Sequence, residues 1–387
     1  MLERDFDVNA PGNLVAIGGG MHAFVPAPLP PKCIRSDATN RAAEDAVNAI
    51  GELRGMTMGS TAFIGTDNLI RPLLRREAVL SSKIEGTVST LQDLFRYEAA
   101  PSRHDFPDDI KEVVNYGTAV NLGLDAIKDA PQITAHLIRS LHQKLMAAVR
   151  GSEAEPGNFR NRQVFIGSPG VNDLQAARFV PPPPLEVPPL MDQLLRYINA
   201  LDQYSRLEAI ALAHYQFETI HPFLDGNGRI GRLLITLMLG TTGLLAKPLL
   251  HLSAFFESDR QEYYDRLLGV SQRGDWDGWL HYFFRGAALA ADDVKARIAA
   301  AAKMRTDILS ALRAKSGRLS IAAPDLLDEI FRNPYVSVSK AASAIDRTIP
   351  ATQKLLDLFV SAGIVATASA GQRNRLYVAK DILKIYE

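Results

Sequence analysis

Residues 221–232 bring chemically active side chains together in one short stretch, which reads His-Pro-Phe-Leu-Asp-Gly-Asn-Gly-Arg-Ile-Gly-Arg. Pro222 and Gly226 disfavour a helix over its first half, so we predict a loop there. Apolar residues then recur at helical spacing from Ile230 to Leu237, which predicts a helix over residues 227–240. A loop that leads into a helix presents free backbone N–H groups and the positive end of the helix dipole, and both bind anions.

The glycines and arginines of this stretch suit a phosphate in particular. Gly226 and Gly228 let the backbone approach an anion and adopt conformations that are closed to other residues. Arg229 and Arg232 are three residues apart and share one helix face, and their planar guanidinium groups match phosphate oxygens.

An acid and an imidazole add the means for a reaction at that phosphate. Asp225 precedes the turn, where its carboxylate would hold Mg²⁺ bound to the same phosphates. The ordinary pKa of a histidine lies near neutrality, which suits His221 to take a proton from an attacking hydroxyl. The alternative is a capped loop in which Asp225 and Asn227 form turn hydrogen bonds and the arginines are solvated. The order of the whole set favours a site.

Helical patterns surround this stretch and must position it. Besides 227–240, they cover residues 37–55, 67–86, 88–98, 108–128, 133–149, 188–204, 206–219, 257–273 and 275–314. The first helix is expected to be capped by Asp37 or Thr39. Residues 1–35 are rich in Pro and Gly and are expected to form an extended arm on the body. Residues 163–180 read as a β-hairpin, with a Gly-Ser-Pro-Gly turn at 167–170.

Glu85 lies in the last turn of the helix predicted over residues 67–86. An acid at a helix C-terminus opposes the helix dipole, which is unfavourable by a few tenths of a kcal/mol and up to about 1 kcal/mol. We therefore expect a partner elsewhere in the chain to offset this, although a solvated acid is the alternative.

The last 70 or so residues, 318–387, have a different pattern. Three helical segments (322–332, 339–346 and 349–362) and two β-like runs (364–367 and 375–378) are typical of a winged helix. Arg373 and Arg375 would lie at the wing, where such domains touch DNA. The third helix carries Lys354 as its one basic residue, together with Asp357, which is poor for a recognition helix. We favour a protein-interaction or dimerisation module over a DNA reader.

Composition narrows the class of protein. Lysine plus arginine equals aspartate plus glutamate at 43 each, so the net charge is zero and no global cationic field for nucleic acid or membrane is indicated. Cys33 is the only cysteine, which excludes an internal disulfide and a cysteine-based zinc site and fits a reducing cytoplasm. The first 20 residues lack the apolar core of a secretory signal, and no apolar run reaches the roughly 18 residues of a membrane span. A cytoplasmic location without a membrane partner is expected.

His221 through Arg232 resembles the signature of Fic-domain proteins, His-x-Phe-x-Asp/Glu-Gly-Asn-Gly-Arg-x-x-Arg, at every fixed position. The resemblance implies an all-α Fic fold and transfer of AMP from ATP to a Ser, Thr or Tyr hydroxyl of a target protein, with release of pyrophosphate. By this likeness His221 would be the base, Asp225 the Mg²⁺ ligand and Phe223 a buried anchor. The residues that it implies for nucleotide binding are Gly226, Asn227, Gly228, Arg229, Ile230, Gly231 and Arg232. The first three would form an anion hole, and the two arginines would contact the β and γ phosphates.

Ser81-x-x-x-Glu85-Gly86 resembles the inhibitory motif of the same family, Ser/Thr-x-x-x-Glu-Gly/Asn. The implied mechanism is an ion pair between Glu85 and Arg232 that occupies the γ-phosphate position, so that ATP binds without productive geometry. Because the motif precedes the core, the chain resembles the class with an N-terminal inhibitory helix.

Two further segments fit this likeness, which covers roughly residues 37–290. The 163–180 hairpin resembles the family's flap, which positions the target segment by strand addition. Tyr263 and Tyr264 follow a segment that resembles the lining of the base pocket, with Tyr264 as the candidate adenine contact, Tyr263 as the alternative, and a core role open for either. His214 is expected to be a packed helix residue and not a ligand.

The sequence thus predicts an all-α Fic bundle with a β-hairpin flap, followed by a small winged helix. The expected division is 1–110 for the arm and inhibitory region, 111–290 for the core, 291–317 for a linker helix and 318–387 for the winged helix. The expected function is an auto-inhibited protein adenylyltransferase that uses ATP and Mg²⁺, with self-modification and a homodimer as open possibilities. The alternatives are another nucleotidyl transfer or de-AMPylation at the same residues, and a DNA-binding regulator with a Fic sensor domain.

Overall fold

The computed structural model describes residues 3–58, 67–101, 106–149, 155–167, 177–200, 205–245, 247–316, 320–368 and 375–387. Within these ranges the protein is mostly helical, with two small antiparallel sheets. The predicted all-α bundle is thereby confirmed, apart from these small sheets. No helix in the described ranges is both long enough and apolar enough to cross a bilayer.

Eleven of the helices in the described ranges form the body of the molecule. They are α1 (Asp37–Met58), α2 (Asp67–Ile84), α3 (Leu91–Ala99), α4 (Ile110–Asp129), α5 (Ala135–Leu145), α6 (Val187–Ile198), α7 (Arg206–Ile220), α8 (Asn227–Thr241), α9 (Ser253–Ser258), α10 (Arg260–Arg273) and α11 (Trp276–Ser316). Helical periodicity predicted ten of these helices in this order and missed α9. The predicted helix 257–273 begins before the start of α10, which is set by Asp259: its side chain accepts a hydrogen bond from the Glu262 N–H at 2.9 Å and so caps α10.

The α7–α8 pair lies at the centre of the body. α7 is buried on almost all sides because it packs against α6, α8, α10 and α11. The Trp279 indole N–H donates to the Ala211 carbonyl of α7 at 3.0 Å, which ties α7 to α11. A helix that is apolar all round and enclosed by others is a rigid base for the loop that follows it.

Helix α11 is one unbroken helix of 41 residues, and α1 packs along it. It continues across residues 290 and 291, where the sequence analysis divides the core from a linker helix. The predicted caps of α1, Asp37 or Thr39, are wrong: the cap is Ser36, whose hydroxyl accepts a hydrogen bond from the Thr39 N–H at 3.3 Å.

The N-terminal segment is a β-hairpin, which corrects the predicted extended arm. β1 (Gly12–Gly18) pairs with β2 (Met21–Pro26) in antiparallel register. The backbone at Gly18, Gly19 and Gly20 has positive φ, which three consecutive glycines allow and which turns the chain. The prolines in this segment hid the turn signal from the sequence analysis.

The base of the predicted flap is present. Ile166 and Phe179 form an antiparallel bridge, and Phe179 packs against Phe24 of the N-terminal hairpin. Most of the Gly-Ser-Pro-Gly turn, with the rest of 168–176, lies outside the described residues. The 163–180 hairpin is therefore seen where it joins the body.

The C-terminal unit, residues 320–387, contains four helices and a three-stranded sheet in its described part. The helices are α12 (Ala323–Arg332), α13 (Val338–Ala344), α14 (Ile349–Ser361) and α15 (Lys380–Tyr386). The strands β3 (Tyr335–Ser337), β4 (Ala366–Thr367) and β5 (Leu376–Val378) lie in the order β3-β5-β4. The sequence analysis missed β3 and α15, and Arg373 lies outside the described residues. The winged-helix assignment stays a prediction.

Candidate active site

The loop between α7 and α8 begins with a strained residue. His221 caps α7 with φ 50° and ψ 62°, in the left-handed region that side chains other than glycine rarely adopt. Such backbone costs on the order of 1 kcal/mol or more and persists where its surroundings hold it. Its N–H donates to the Phe217 carbonyl at 3.0 Å.

Arg160 holds this strained loop in place. Its guanidinium, from a residue that is only 3% exposed, donates to the carbonyls of His221 (2.8 Å), Pro182 (2.5 Å) and Ile220 (3.3 Å). Burial lowers the pKa of Arg160 to about 10, but this value is still well above 7, and the guanidinium is charged at neutral pH. The base of the flap and the end of α7 are therefore joined through one buried cation. Sequence reasoning missed Arg160, because a lone arginine in an irregular segment carries no spacing signal.

Asn227 closes the loop onto itself. Its side-chain oxygen accepts from the Phe223 N–H at 2.8 Å, and its amide donates to the Phe223 carbonyl at 2.9 Å. Phe223 is fully buried and stacks on His142 with ring centroids 3.7 Å apart. The predicted anchor role of Phe223 fits this burial. The Asn227 side chain is used within the loop, which leaves its backbone N–H for an anion.

His142 supports the same loop from α5. Its Nδ1 accepts from the Gly157 N–H at 2.9 Å, so the proton lies on Nε2, which donates to the Asp225 carbonyl at 2.9 Å. Burial lowers the pKa of His142 to about 4, which keeps the ring neutral. The sequence analysis did not single out His142, and the structure shows that it positions the loop.

The first turn of α8 is covered by Glu85. Gly226 precedes the helix with φ 79°, and the first helical bond runs from the Ile230 N–H to its carbonyl. A Cβ atom built on Gly228 would lie 2.2 Å from Oε1 of Glu85. The Glu85 carboxylate therefore occupies the space beside the free N–H groups, where an anion would bind.

Arg232 holds the Glu85 carboxylate in this position through a salt bridge. Nη2 of Arg232 donates to Oε1 of Glu85 at 2.6 Å and to the Ser81 carbonyl at 2.8 Å, and Nε donates to the Ser81 hydroxyl at 2.9 Å. Burial would raise the pKa of Glu85, but the charge and hydrogen bond of Arg232 outweigh it and the pKa is lowered. The structure thus brings together Ser81, Glu85 and Arg232, as the sequence motifs implied, and the expected partner of Glu85 is present. Gly86 follows with φ 95° and ends the segment.

Arg229 has a partner that the sequence analysis did not find. Its Nη1 donates to Oε2 of Glu112 on α4 at 3.0 Å, with 3% and 8% of the two side chains exposed. Nη2 lies 3.7 Å from the Met146 sulfur. Arg229 was expected to contact phosphate, and here its guanidinium is held in a buried ion pair. Glu112 is 117 residues away in sequence, so no local pattern could reveal it.

Asp225 is exposed at the mouth of the site. One oxygen accepts from the Gly226 N–H at 2.6 Å and lies 3.8 Å from Nη2 of Arg229. The described residues contain no group of three acidic, histidine or cysteine side chains that would bind a metal by themselves. One exposed carboxylate beside an anion site fits Mg²⁺, which usually binds through one or two carboxylates, phosphate oxygens and water.

The His221 ring is prepared to accept a proton. Nδ1 lies 3.2 Å from the Glu218 carbonyl, which can only accept, so the proton lies on Nδ1 and Nε2 carries the lone pair. Burial and the charge of Arg160 lower the pKa of His221 to about 4. The ring is therefore neutral at pH 7.

The two tyrosines of α10 have different surroundings. Tyr263 is 1% exposed and its hydroxyl lies 2.9 Å from Nε2 of His214, so it is a core residue. Tyr264 is partly exposed, and its hydroxyl interacts electrostatically with Glu85 and Arg232. Tyr263 has the same two electrostatic partners, so the two candidates for the base contact differ in exposure, and Tyr264 is the more accessible one. His214 is buried and packed, as predicted.

Family comparisons agree with this geometry. Residues 132–239 match the Fic/DOC family model, and residues 40–125 match the model of the N-terminal region of the same family, together about half of the chain. The protein adenylyltransferase Fic of Drosophila erecta is 32% identical over 139 residues, which are 35% of this chain and 26% of that protein. The chain thus matches about a quarter of the length of such curated relatives.

Two solved structures are similar in fold. A Fic family protein from Desulfovibrio desulfuricans G20 aligns with a TM-score of 0.55 at 21% identity, over 91% of this chain and 98% of that one. Fic-1 (residues 134–508) from C. elegans aligns with a TM-score of 0.53 at 19% identity, over 67% of this chain and 74% of that one. At these identities the likeness supports the fold.

Proposed function

Because the chain belongs to the Fic/DOC family, we propose that it is a protein adenylyltransferase, which transfers AMP from ATP to a Ser, Thr or Tyr hydroxyl of a target protein. Its relatives named protein adenylyltransferase Fic support this reaction class. The observation that carries the proposal is the N-terminus of α8, where the first N–H groups have no partner within the helix. His221 lies before this N-terminus, and Arg232 follows one turn within the helix. A cytoplasmic location is part of the proposal and rests on the single cysteine.

The chemistry follows from the state of the His221 ring. The target hydroxyl attacks the α-phosphorus of ATP, and its proton passes to Nε2 of His221. A P–O bond forms with the target as the bond between the α-phosphorus and its bridging oxygen to the β-phosphate breaks, and pyrophosphate leaves. The backbone N–H groups at the start of α8 and the guanidinium of Arg232 stabilise the charge on the phosphates. Asp225 would hold Mg²⁺, which neutralises phosphate charge when bound.

We further propose that Glu85 inhibits this reaction. Arg232 has one anionic partner within hydrogen-bond distance in the described chain, the Glu85 carboxylate at 2.6 Å. A γ-phosphate that reaches the same guanidinium must compete with that carboxylate. ATP would then bind without the placement that the reaction needs.

Labelled nucleotides test the proposal. Incubation with ATP labelled in the α-phosphate and Mg²⁺ is expected to label the Glu85→Gly protein, either on itself or on an added target. The matched Glu85→Gly/His221→Ala protein should stay unlabelled, and Glu85→Gly/Arg232→Ala should lose most of the label. Labelled CTP, GTP and UTP in parallel identify the nucleotide. Labelling that survives removal of Arg232 would contradict the competition between Glu85 and phosphate.

A further inference from the structure

Glu218 is a buried acid that the reaction above does not use. It lies in the last turn of α7, three residues before His221. Its Oε1 is buried and has no hydrogen-bond partner among the described residues. A Cβ atom built on Gly231 would lie 2.1 Å from this oxygen, so the carboxyl group rests directly on α8. A buried carboxyl oxygen without a hydrogen-bond partner is costly, which suggests that a ligand supplies the missing partner.

Glu218 shares its surroundings with Glu85. Gly228, against which Glu85 lies, is three residues before Gly231, so the two carboxyl groups occupy neighbouring positions on one face of α8. Arg232 interacts electrostatically with both carboxyl groups, but of the two acids only Glu85 accepts a hydrogen bond from it.

Two neighbouring acids beside one guanidinium cannot both ionise easily, and the one without a hydrogen bond keeps its proton. Burial raises the pKa of Glu218 to about 8; Arg232 opposes this shift, and Glu85 adds to it. Glu77 also interacts electrostatically with Arg232, and burial raises its pKa to about 7. It is unchanged by Glu218→Gln, so comparison with that variant isolates the titration of Glu218. Burial raises the pKa of Tyr263 and Tyr264, and His221 is already neutral.

We propose that Glu218 is a nucleotide-binding residue of this site, whose neutral carboxyl donates a hydrogen bond to a phosphate oxygen when phosphate replaces Glu85 on Arg232. The inference rests on the proposed function, since it needs a nucleotide at α8. A phosphate that displaces Glu85 brings at least as much negative charge, which keeps Glu218 protonated. Once ionised, Glu218 repels the phosphates, so affinity for the nucleotide falls as pH rises through the pKa of this residue.

Calorimetric binding of α,β-methylene-ATP with Mg²⁺ tests this without any transfer reaction. In the Glu85→Gly protein, affinity should fall about tenfold from about pH 7 to about pH 9.5, as a coupling of one pKa unit requires. In the Glu85→Gly/Glu218→Gln protein the amide introduced at position 218 still donates a hydrogen bond and cannot ionise, so the affinities at the two pH values should differ by no more than about twofold. Glu186→Gln in the same background changes an exposed glutamate and should keep the full pH dependence.

The outcomes separate the two proposals. Binding at pH 7 with the same pH dependence in the Glu218→Gln protein overturns the role of Glu218 and leaves the nucleotide site intact. No binding by the Glu85→Gly protein at either pH overturns both. Thermal unfolding gives a further check: a protonated Glu218 is ionised in the unfolded chain, so the gain in Tm from Glu218→Gln should grow between about pH 5 and about pH 8. A Tm difference that is independent of pH would contradict a neutral carboxyl.

Discussion

At the residue scale, hydrogen bonds and burial determine the tautomer and the charge of the two histidines in this site. The Glu218 carbonyl holds the proton of His221 on Nδ1, and Arg160 and burial keep the ring uncharged. Burial also keeps His142 neutral, so that its Nε2–H can hold the loop through Asp225. The site therefore contains two neutral imidazoles with different roles, one able to accept a proton and one already saturated with hydrogen bonds.

The low pKa of His221 predicts the pH profile of the transfer. A base must be unprotonated to act, and the pKa of about 4 leaves His221 unprotonated at any pH well above that value. Glu85 raises this pKa, so its removal lowers it further. For the Glu85→Gly protein we expect kcat/KM to stay level from about pH 7 to about pH 5, measured as initial rates of self-modification. A loss of activity centred near the ordinary histidine pKa would show that the ring is exposed to solvent when it reacts.

Glu112 offers a test of the buried ion pair. Glu112→Ala leaves the guanidinium of Arg229 buried without its carboxylate, which should destabilise the protein by about 3–5 kcal/mol. Urea unfolding followed by circular dichroism measures this, with Glu186→Ala as the exposed control. If Glu112→Ala is as stable as the control, Arg229 has solvent or another partner available, and its pair with Glu112 contributes little.

At the scale of elements, α7, the loop and α8 form one unit. α7 and α8 are enclosed by other helices, and the loop between them is closed by Asn227 and clamped by Arg160. The N–H groups at the start of α8 therefore point in a fixed direction before any ligand arrives. Such preorganised donors stabilise charge without reorganisation during the reaction.

Asn227→Ala should disrupt this unit. Two buried backbone groups of Phe223 lose their partners, at roughly 1–3 kcal/mol each. We expect a lower Tm and, in the Glu85→Gly background, a loss of nucleotide binding measured by calorimetry. Asn227→Asp keeps the acceptor for the Phe223 N–H, so its Tm and nucleotide affinity should lie between those of Asn227→Ala and those of the protein with Asn227. Full binding by Asn227→Ala would mean that the loop keeps its shape without this side chain.

Sequence patterns predicted the elements of the site better than their contacts. Periodicity showed α7 and α8, and the motifs named His221, Asp225, Glu85 and both arginines. The partners Glu112, Arg160 and His142 come from α4, the flap base and α5, and such long-range contacts leave no trace in local spacing. The N-terminal hairpin was missed because Pro-rich sequence masked a glycine turn.

At the scale of the whole molecule, the C-terminal unit packs against α2, the helix that ends immediately before Glu85. Nε of Arg332 donates to Oδ1 of Asn68 on α2 at 2.7 Å, and the Asn333 amide donates to the Phe95 carbonyl on α3 at 3.2 Å. Tyr386 packs on Phe95 with ring centroids 6.3 Å apart. Apolar residues of both parts belong to one continuous core. Helix α2, which leads into Glu85, is thus held from two sides, by Arg232 through Ser81 and by the C-terminal unit.

Deletion after residue 316 should therefore destabilise the rest of the chain. It uncovers Phe95 and the apolar face of α2, which are buried against α12 and α15. We expect a lower Tm and increased binding of a hydrophobic dye to the folded protein, relative to the full chain. An unchanged Tm without dye binding would show that the two parts are thermodynamically independent.

The central claim is that removal of Glu85 frees Arg232 for phosphate and lets His221 act. Intact mass spectrometry of the Glu85→Gly protein after incubation with ATP and Mg²⁺ tests it most directly. The account predicts the added mass of one or more adenylyl groups, absent from Glu85→Gly/His221→Ala and much reduced in the unmodified sequence. Two results would contradict it. In one, the Glu85→Gly protein binds nucleotide but neither it nor a candidate target protein gains mass. In the other, the added mass is that of a phosphoryl group and not of an adenylyl group.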